Sequence, residues 1–319
     1  MSTPIDVVIF WVDGNDPVHR QKRQRYLADF ELESAQNHEQ STDDKRFVQH
    51  DELKYCLRSI RQHAPWCRTI WLVTDQQVPG FLDPHKLALD GIELVDHCTL
   101  FRGVEQYLPT FNSRALAARV HHIPGLSERY LIGNDDVMLA GDVEESFFFV
   151  GDKPVIYADW RDESWPLTLW RQGILNGANL MGFDRSHFIE PSHGFLPFSK
   201  SQIVLLEQQF PEQFLNNLRY RFRHESQMLV ESLYNHYCLK HDLCELRDTT
   251  PMVHFSFQLC REGSAEKIAF LFDLLASAQR KMFCINEFDA LATRFSDIDS
   301  RLKTLCGAPL QAEILVETH

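Results

Sequence analysis

The sequence predicts an α/β fold built on a mostly parallel sheet, with a helical C-terminal half. Three observations carry this. Strand-like and helix-like patterns alternate over roughly the first 140 residues, as right-handed βαβ crossovers require. Two of the clearest strand-like runs open directly into acidic turns, at 13–16 and 134–136. Beyond Lys200, apolar residues recur mainly at helical spacing.

The elements follow in order. Ile5–Val12 is a β-branched and aromatic run ending in Asp13-Gly14-Asn15-Asp16-Pro17, a cluster of turn formers, and so reads as a buried strand opening onto a polar loop. Residues 18–46 are polar, with little apolar period after Phe30, and read as a helix followed by a long loop. Asp51 is placed to cap a helix whose apolar face is Leu53, Leu57 and Ile60, and Pro65 stops it. Runs at 69–74 and 92–95 read as strands, and 113–122 as a helix with Leu116 and Val120 inward. A strand at 130–132 runs into Gly133-Asn134-Asp135-Asp136, and 154–158 reads as another. Residues 159–198 read as loop-rich; 200–210, 224–241, 265–281 and 296–305 read as helices, and 283–285 as a short strand. No repeat or low-complexity linker marks a boundary. The chain is read as one unit, 1–319, with an α/β part at 1–158 and a mainly helical part at 159–319.

Composition narrows the function classes. The 319 residues are 44% hydrophobic and 24% charged, which is globular rather than disordered. Acidic residues outnumber basic ones 45 to 32, a net charge of −13, which argues against nonspecific binding to nucleic acid or anionic membranes. No apolar run approaches the ~18 residues of a spanning helix, and residues 1–20 lack the pattern of a secretory signal. Eight scattered cysteines without a CxxC point to reduced thiols and a cytoplasmic location rather than a cysteine-based zinc site.

If the strands before the two acidic turns are parallel, both turns share one rim, where ligands of such sheets sit. Four carboxylates there repel one another unless a divalent cation, alone or with substrate phosphates, lies among them. The Asn134-Asp135-Asp136 turn is the sharper signal, for Mg2+ or Mn2+, although such a pair also serves as an ordinary turn or helix cap. Neither GxGxxG nor GxxxxGK[ST] is present, so phosphates would be held by side chains and metal. Arg46, Lys54, Arg58, Arg114, Arg221 and Arg223 are the candidates, each equally suited to a surface ion pair; Arg46 stands out by its place in a loop. His193, in Pro191-Ser192-His193-Gly194, suits a general base, but by spacing alone His50, His63, His97, His121, His122 and His254 stand level with it. The tryptophans at 160, 165 and 170 suit stacking on a sugar ring or base, and Trp160 and Trp165, set among charged residues, equally suit an interface; Phe147-Phe148-Phe149 suits the core.

Several runs resemble the Stealth family. Ile5-Asp6-Val7-Val8 and Trp11-Val12-Asp13-Gly14-Asn15-Asp16-Pro17 are similar to its first conserved region. Arg46-Phe47, Asp51-Glu52-Leu53-Lys54-Tyr55, Leu57-Arg58-Ser59-Ile60, Ala64-Pro65-Trp66 and Leu72-Val73-Thr74-Asp75 are similar to the second. That region continues through Leu108-Pro109-Thr110-Phe111-Asn112-Ser113, Ile123-Pro124-Gly125-Leu126-Ser127-Glu128 and Asn134-Asp135-Asp136-Val137-Met138. Ser192-His193, Phe210-Pro211-Glu212-Gln213-Phe214, Arg223-His224 and Met228 echo a third region, and Cys284-Ile285-Asn286-Glu287 a fourth. Two departures stand out. The family histidine has a proline close behind it, where this chain reads Gly194-Phe195-Leu196-Pro197. Gln227 stands where an Asp is expected, with Glu225 the nearest substitute.

Stealth members are sugar-phosphate transferases. The resemblance implies a Rossmann-like, GT-A-like sheet that binds a nucleotide sugar, a divalent metal (Mg2+ or Mn2+), and a glycan hydroxyl acceptor. The implied reaction moves a hexose 1-phosphate from a UDP-sugar and releases UMP, as in capsule or exopolysaccharide synthesis. On this reading Asp135 and Asp136 hold the metal, while Asp13, Gly14 and Asp16 line the nucleotide end. Arg46 and Arg223 bind phosphate oxygens, Asn112, Ser113 and Asn179 position sugar or phosphate, and His193 is the base. No nucleic-acid partner is expected. Peripheral docking to a membrane export assembly and the oligomeric state are left open. The rival readings are a metal-dependent glycosyltransferase that releases UDP and, because of Gln227, a non-catalytic glycan-binding subunit.

Overall fold

The computed structural model describes residues 3–33, 52–162, 164 and 166–314; Arg46, Asp51 and Trp165 lie outside them. In chain order the strands are β1 (Ile5–Phe10), β2 (Cys67–Thr74), β3 (Ile92–Asp96), β4 (Arg129–Asn134), β5 (Val137–Leu139), β6 (Phe149–Val150), β7 (Lys153–Arg161), β8 (Phe188–Pro191), β9 (Leu196–Ser199), β10 (Glu245–Arg247), β11 (Met252–Phe255) and β12 (Met282–Ile285).

The central sheet has the order β3-β2-β1-β4-β9. The first four strands are parallel and β9 runs antiparallel on the edge. β1 is the middle strand because all six of its residues are apolar or paired. Ile5, Val7 and Ile9 enter the core on one face, and Val8 and Phe10 enter that on the other. Asp6, fully buried at 0% exposure, is tolerated because both carboxylate oxygens are taken. Arg68 donates to both, and Trp71 Nε1 and Ser127 N donate to Oδ2 at 2.9 and 2.8 Å.

Register fixes the rim. Phe10 lies opposite Val73 and Asn134, and Thr74 opposite Asp96. The residues just past β1, β2 and β4 therefore emerge together, and the two acidic turns share one edge as the parallel arrangement requires. Two smaller sheets extend the molecule. β5 leaves the Asp135-Asp136 turn and pairs antiparallel with β12, which pairs parallel with β11. β7 carries β6, β8 and β10.

The helix expected from Asp51 runs Glu52–His63 and buries Leu53, Leu57 and Ile60. The expected loop-rich stretch 159–198 is instead ordered, with a Leu169–Leu180 helix followed by β8 and β9. Its start was legible in Thr168, whose side chain accepts from Arg171 N as an N-cap. A further helix, Pro211–Arg219, begins with proline in its first turn. The helix expected over 224–241 begins only at Val230, because residues 220–229 form a loop tied to another part of the chain. The C-terminal half is helix-rich and also supplies β8 to β12. All eight cysteines are free, as expected.

Candidate active site

The site is built where β4 ends. Asn134 is its last residue; Asp135 and Asp136 turn the chain into β5. Burial, the Asp136 charge and the Glu52 carboxylate push Asp135 well above the usual carboxylate range. Burial pushes Asp136 up to about 6, against the pull of the Cys284 thiol and the Arg223 guanidinium. Cys284 Sγ lies 3.4 Å from Asp136 Oδ2, while Asp136 Oδ1 is buried with no hydrogen-bond partner among the described residues. Two adjacent carboxylates held at a cost in their charged form, one with an orphaned oxygen, fit a hard divalent cation. The ligands would be Asp135 and Asp136.

Arg223 reaches the site from the 220–229 loop and donates to Ser113 Oγ at 2.8 Å. Gln227 and Asn112 clamp this loop. Gln227, at 0% exposure, accepts at Oε1 from Asn112 Nδ2 (2.9 Å) and His224 N (2.8 Å), and donates from Nε2 to Asn217 O (2.8 Å). Asn112 Nδ2 also donates to the carbonyls of Tyr220 and Phe222, while its Oδ1 caps the Ser113–Ala117 helix at Arg114 N. A carboxylate at 227 could not donate to Asn217 O; the amide fits this place. Glu225 is exposed. Besides Asp136, Arg223 acts on the Glu231 carboxylate, which burial raises and Arg114 and Arg223 draw back.

A histidine stack forms the third wall. In register, Val137, Cys284 and His254 sit side by side across β5, β12 and β11. His193 stacks on His254 at 4.2 Å between ring centroids and on Trp170 at 4.7 Å on its other side. Burial, then the neighbouring His254, lowers His193 to about 3, so it is a neutral imidazole at physiological pH. His254 Nε2 is buried without a partner among the described residues. Gly194 lets the chain pass here, since a Cβ would stand 2.7 Å from Met252 Cε.

Along the rim beside β1, Asp13 accepts from Asn15 N in its own turn and is held to Gln77 through its backbone. Asp16 accepts from His19 N and so caps the Pro17–Glu33 helix; Gly14 is buried between them. Both carboxylates thus do the turn-forming work that the sequence also allowed. Next to them a cleft of about 830 Å3 opens over the ends of β2 and β3, lined by Lys22, Tyr26, Asp75, Gln76, His97 and Leu108. Lys22 pairs with Asp75 at 3.1 Å.

The structure links Arg223, held to Ser113, with Asp136 through charge, and links His193 to the acidic turn only through His254 and Cys284 in register. Asn112 supports the Arg223 loop from within. Asn179 lines a cavity of about 380 Å3 with Glu212, Asn216 and Arg219. Arg46 lies outside the described residues. Arg58, Arg114 and Arg221 are engaged elsewhere, with Glu313, the Leu169 and His224 carbonyls, and the Leu108 carbonyl. Sequence reasoning gave no site role to Glu52, Asp75 or Glu231, and took Trp170 only as one of a tryptophan cluster. Glu52 and Asp75 lay within quoted motifs, but Glu231 carries no local signal.

Comparison with known proteins defines the class. The description "Stealth protein CR1, conserved region 1" matches residues 3–31, and "Stealth protein CR2, conserved region 2" matches residues 46–155. The chain belongs to the Stealth proteins. It is similar to an exopolysaccharide phosphotransferase of Streptomyces coelicolor, 33% identical over 89% of this chain and 47% of that protein. It is also similar to the capsular polysaccharide phosphotransferase LcbA of Aeromonas hydrophila, 35% identical over 62% of this chain and 55% of that one. The chain spans about half the length of the curated relatives it matches. Among solved structures, the galactosyltransferase LgtC aligns over 95% of this chain and 97% of its own, at 10% identity and a TM-score of 0.43.

Proposed function

We propose that this chain transfers a hexose 1-phosphate from a UDP-sugar to a hydroxyl of a glycan acceptor, releasing UMP and forming a phosphodiester. The observation that carries this is the desolvated Asp135-Asp136 pair at the end of β4 with Arg223 acting on Asp136; the His193–His254 stack, reached across β12, supports the assignment of a base. Phosphotransferase relatives that act on extracellular polysaccharides support the choice of reaction.

In this reading the nucleoside end lies toward Asp13, Gly14 and the cleft over β2 and β3, and the diphosphate lies at the acidic turn. A bound Mg2+ or Mn2+ would neutralise diphosphate charge and orient its oxygens. Arg223, held by Ser113, binds an oxygen of the transferred phosphoryl group, where charge develops. The acceptor oxygen bonds to the sugar-bearing phosphorus, the bond to the bridging oxygen breaks, and UMP leaves with that electron pair. His193 Nδ1 or Nε2 takes the acceptor proton. Its imidazole is already neutral, and the arriving diphosphate anion raises its proton affinity toward the useful range. Eight free thiols favour a reducing, cytoplasmic setting. No helix among the described residues is long and apolar enough to cross a membrane.

The test is to incubate the protein with Mg2+, a panel of UDP-sugars and a hydroxyl-bearing oligosaccharide, and to resolve the released nucleotide. UMP with a phosphodiester product is expected. UDP would mean the glycosidic bond breaks and would replace this reading by a glycosyltransferase. No turnover together with no donor binding by calorimetry would leave the non-catalytic reading.

A further inference from the structure

A second set of metal-binding side chains lies away from the acidic turn and shares no residue with it. The Val120–His122 turn precedes β4, and the Lys200–Gln209 helix follows β9; both segments join the sheet near the Arg129 end of β4, where Arg129 pairs with Ser199. Between them, one ring nitrogen each of His121 and His122 and a Glu207 carboxylate oxygen all lie within 4.8 Å of one another. We propose that His121, His122 and Glu207 bind a zinc ion.

The donor set is the first argument. Two imidazole nitrogens and one carboxylate oxygen suit zinc rather than Mg2+, which prefers oxygen donors and octahedral geometry. Spacing is the second. Tetrahedral zinc with bonds near 2.0–2.1 Å sets its ligand atoms about 3.4 Å apart. His122 Nε2 stands 3.4 Å and His121 Nε2 2.8 Å from the same Glu207 Oε2, close to that spacing on both sides of the carboxylate. The outer shell is the third. Glu207's other oxygen, Oε1, faces Arg119 Nη1 at 3.4 Å, and Arg119 Nε is anchored on the Leu100 carbonyl at 3.0 Å. A ligating carboxylate braced through its second oxygen is the usual arrangement. His121 is buried, and His122 is exposed at its edge, so the ion would keep water in its open position. It would pin the turn before β4 to the helix after β9, joining segments 86 residues apart in the chain.

The test is zinc titration of chelator-treated protein by calorimetry and native mass spectrometry, with thermal melts in parallel. Expected are one zinc per chain at this site, a higher melting temperature with zinc, and at least a tenfold loss of affinity in both His122→Ala and Glu207→Gln. Asp136→Asn should bind zinc here as wild type does, and Mg2+ in excess should not displace it. His122 is exposed, so His122→Ala folds independently of the outcome; its apo melting temperature checks this. Absence of stoichiometric zinc, or binding unchanged in both variants, would overturn the proposal. Neither result bears on the acidic turn.

Discussion

Asp136 titrates near pH 6, and that value sets two effects of opposite sign. Its folded-state affinity for protons is above that of an unfolded aspartate, so its charge destabilises the fold as pH rises from about 4 through 6. Asp136→Asn removes the charge. Its melting temperature should therefore exceed wild type at pH 7.5, and the difference should vanish below about pH 4. The same substitution should lower sugar-phosphate transfer at least ~100-fold, and a variant that keeps full turnover would remove Asp136 from the site. In the unsubstituted protein, Mn2+ affinity should fall as pH drops through 6; calorimetry at pH 7.5, 6.5 and 5.5 reads this directly. His193→Ala should reduce kcat by ~10^2 to 10^4 with little change in donor KM, as loss of a proton acceptor does. Asp135 and Asp136 were legible in the sequence because a carboxylate pair straight after a strand is a local pattern. Gln227 was not. Its meaning lies in Asn112, 115 residues away, and Asn217, 10 residues away, and no spacing rule connects these positions.

Helices and strands were read most reliably where one element met one face of the sheet. β1, β2, β3 and the Glu52–His63 helix follow from their own apolar pattern and turn residues. The Leu169–Leu180 helix was missed because its sequence, with Gly173 and Gly177, lacks strong helical propensity; its stability comes from packing on the Val230–Lys240 helix. Gly177 shows how close that packing is, since a Cβ there would stand 2.7 Å from Leu233 N and 2.9 Å from Leu229 O. Backbone cannot step aside as a methionine tip can. Gly177→Ala should destabilise the protein by about 1–3 kcal/mol, whereas Gly194→Ala, which meets only methionine side-chain atoms, should be tolerated better. Chemical denaturation of the two variants side by side tests the contrast. Because the Leu169–Leu180 helix also carries Trp170 against His193, Gly177→Ala should lower turnover as well as stability.

Across the whole molecule, the parts described separately by sequence are tied at long range. Arg58 and Glu313 form a buried bidentate pair across 255 residues, with Arg58 Nε donating to Glu313 Oε1 at 2.6 Å. Glu313 also accepts from Leu310 N at 3.0 Å. Glu313→Ala leaves a buried guanidinium without its counter-charge and should cost about 3–5 kcal/mol, read as a lower denaturation midpoint. The reading of one unit from 1 to 319 rested on the lack of a visible linker. Contacts of this span are what tie the C-terminal segment to the α/β part, and they have no signature in local composition.

The placement of β1 at the centre of the parallel sheet has a consequence for synthesis. Its six residues find their first partner in β2 and their second in β4, with Phe10 lying opposite Asn134. A ribosome adding ~5–20 residues per second needs several seconds to make the intervening chain. During that interval IDVVIF, apolar but for one acid and strongly β-prone, is exposed on the nascent polypeptide with one or both edges open. A strand buried on both faces in the finished protein is thus one that needs shielding before the site can exist.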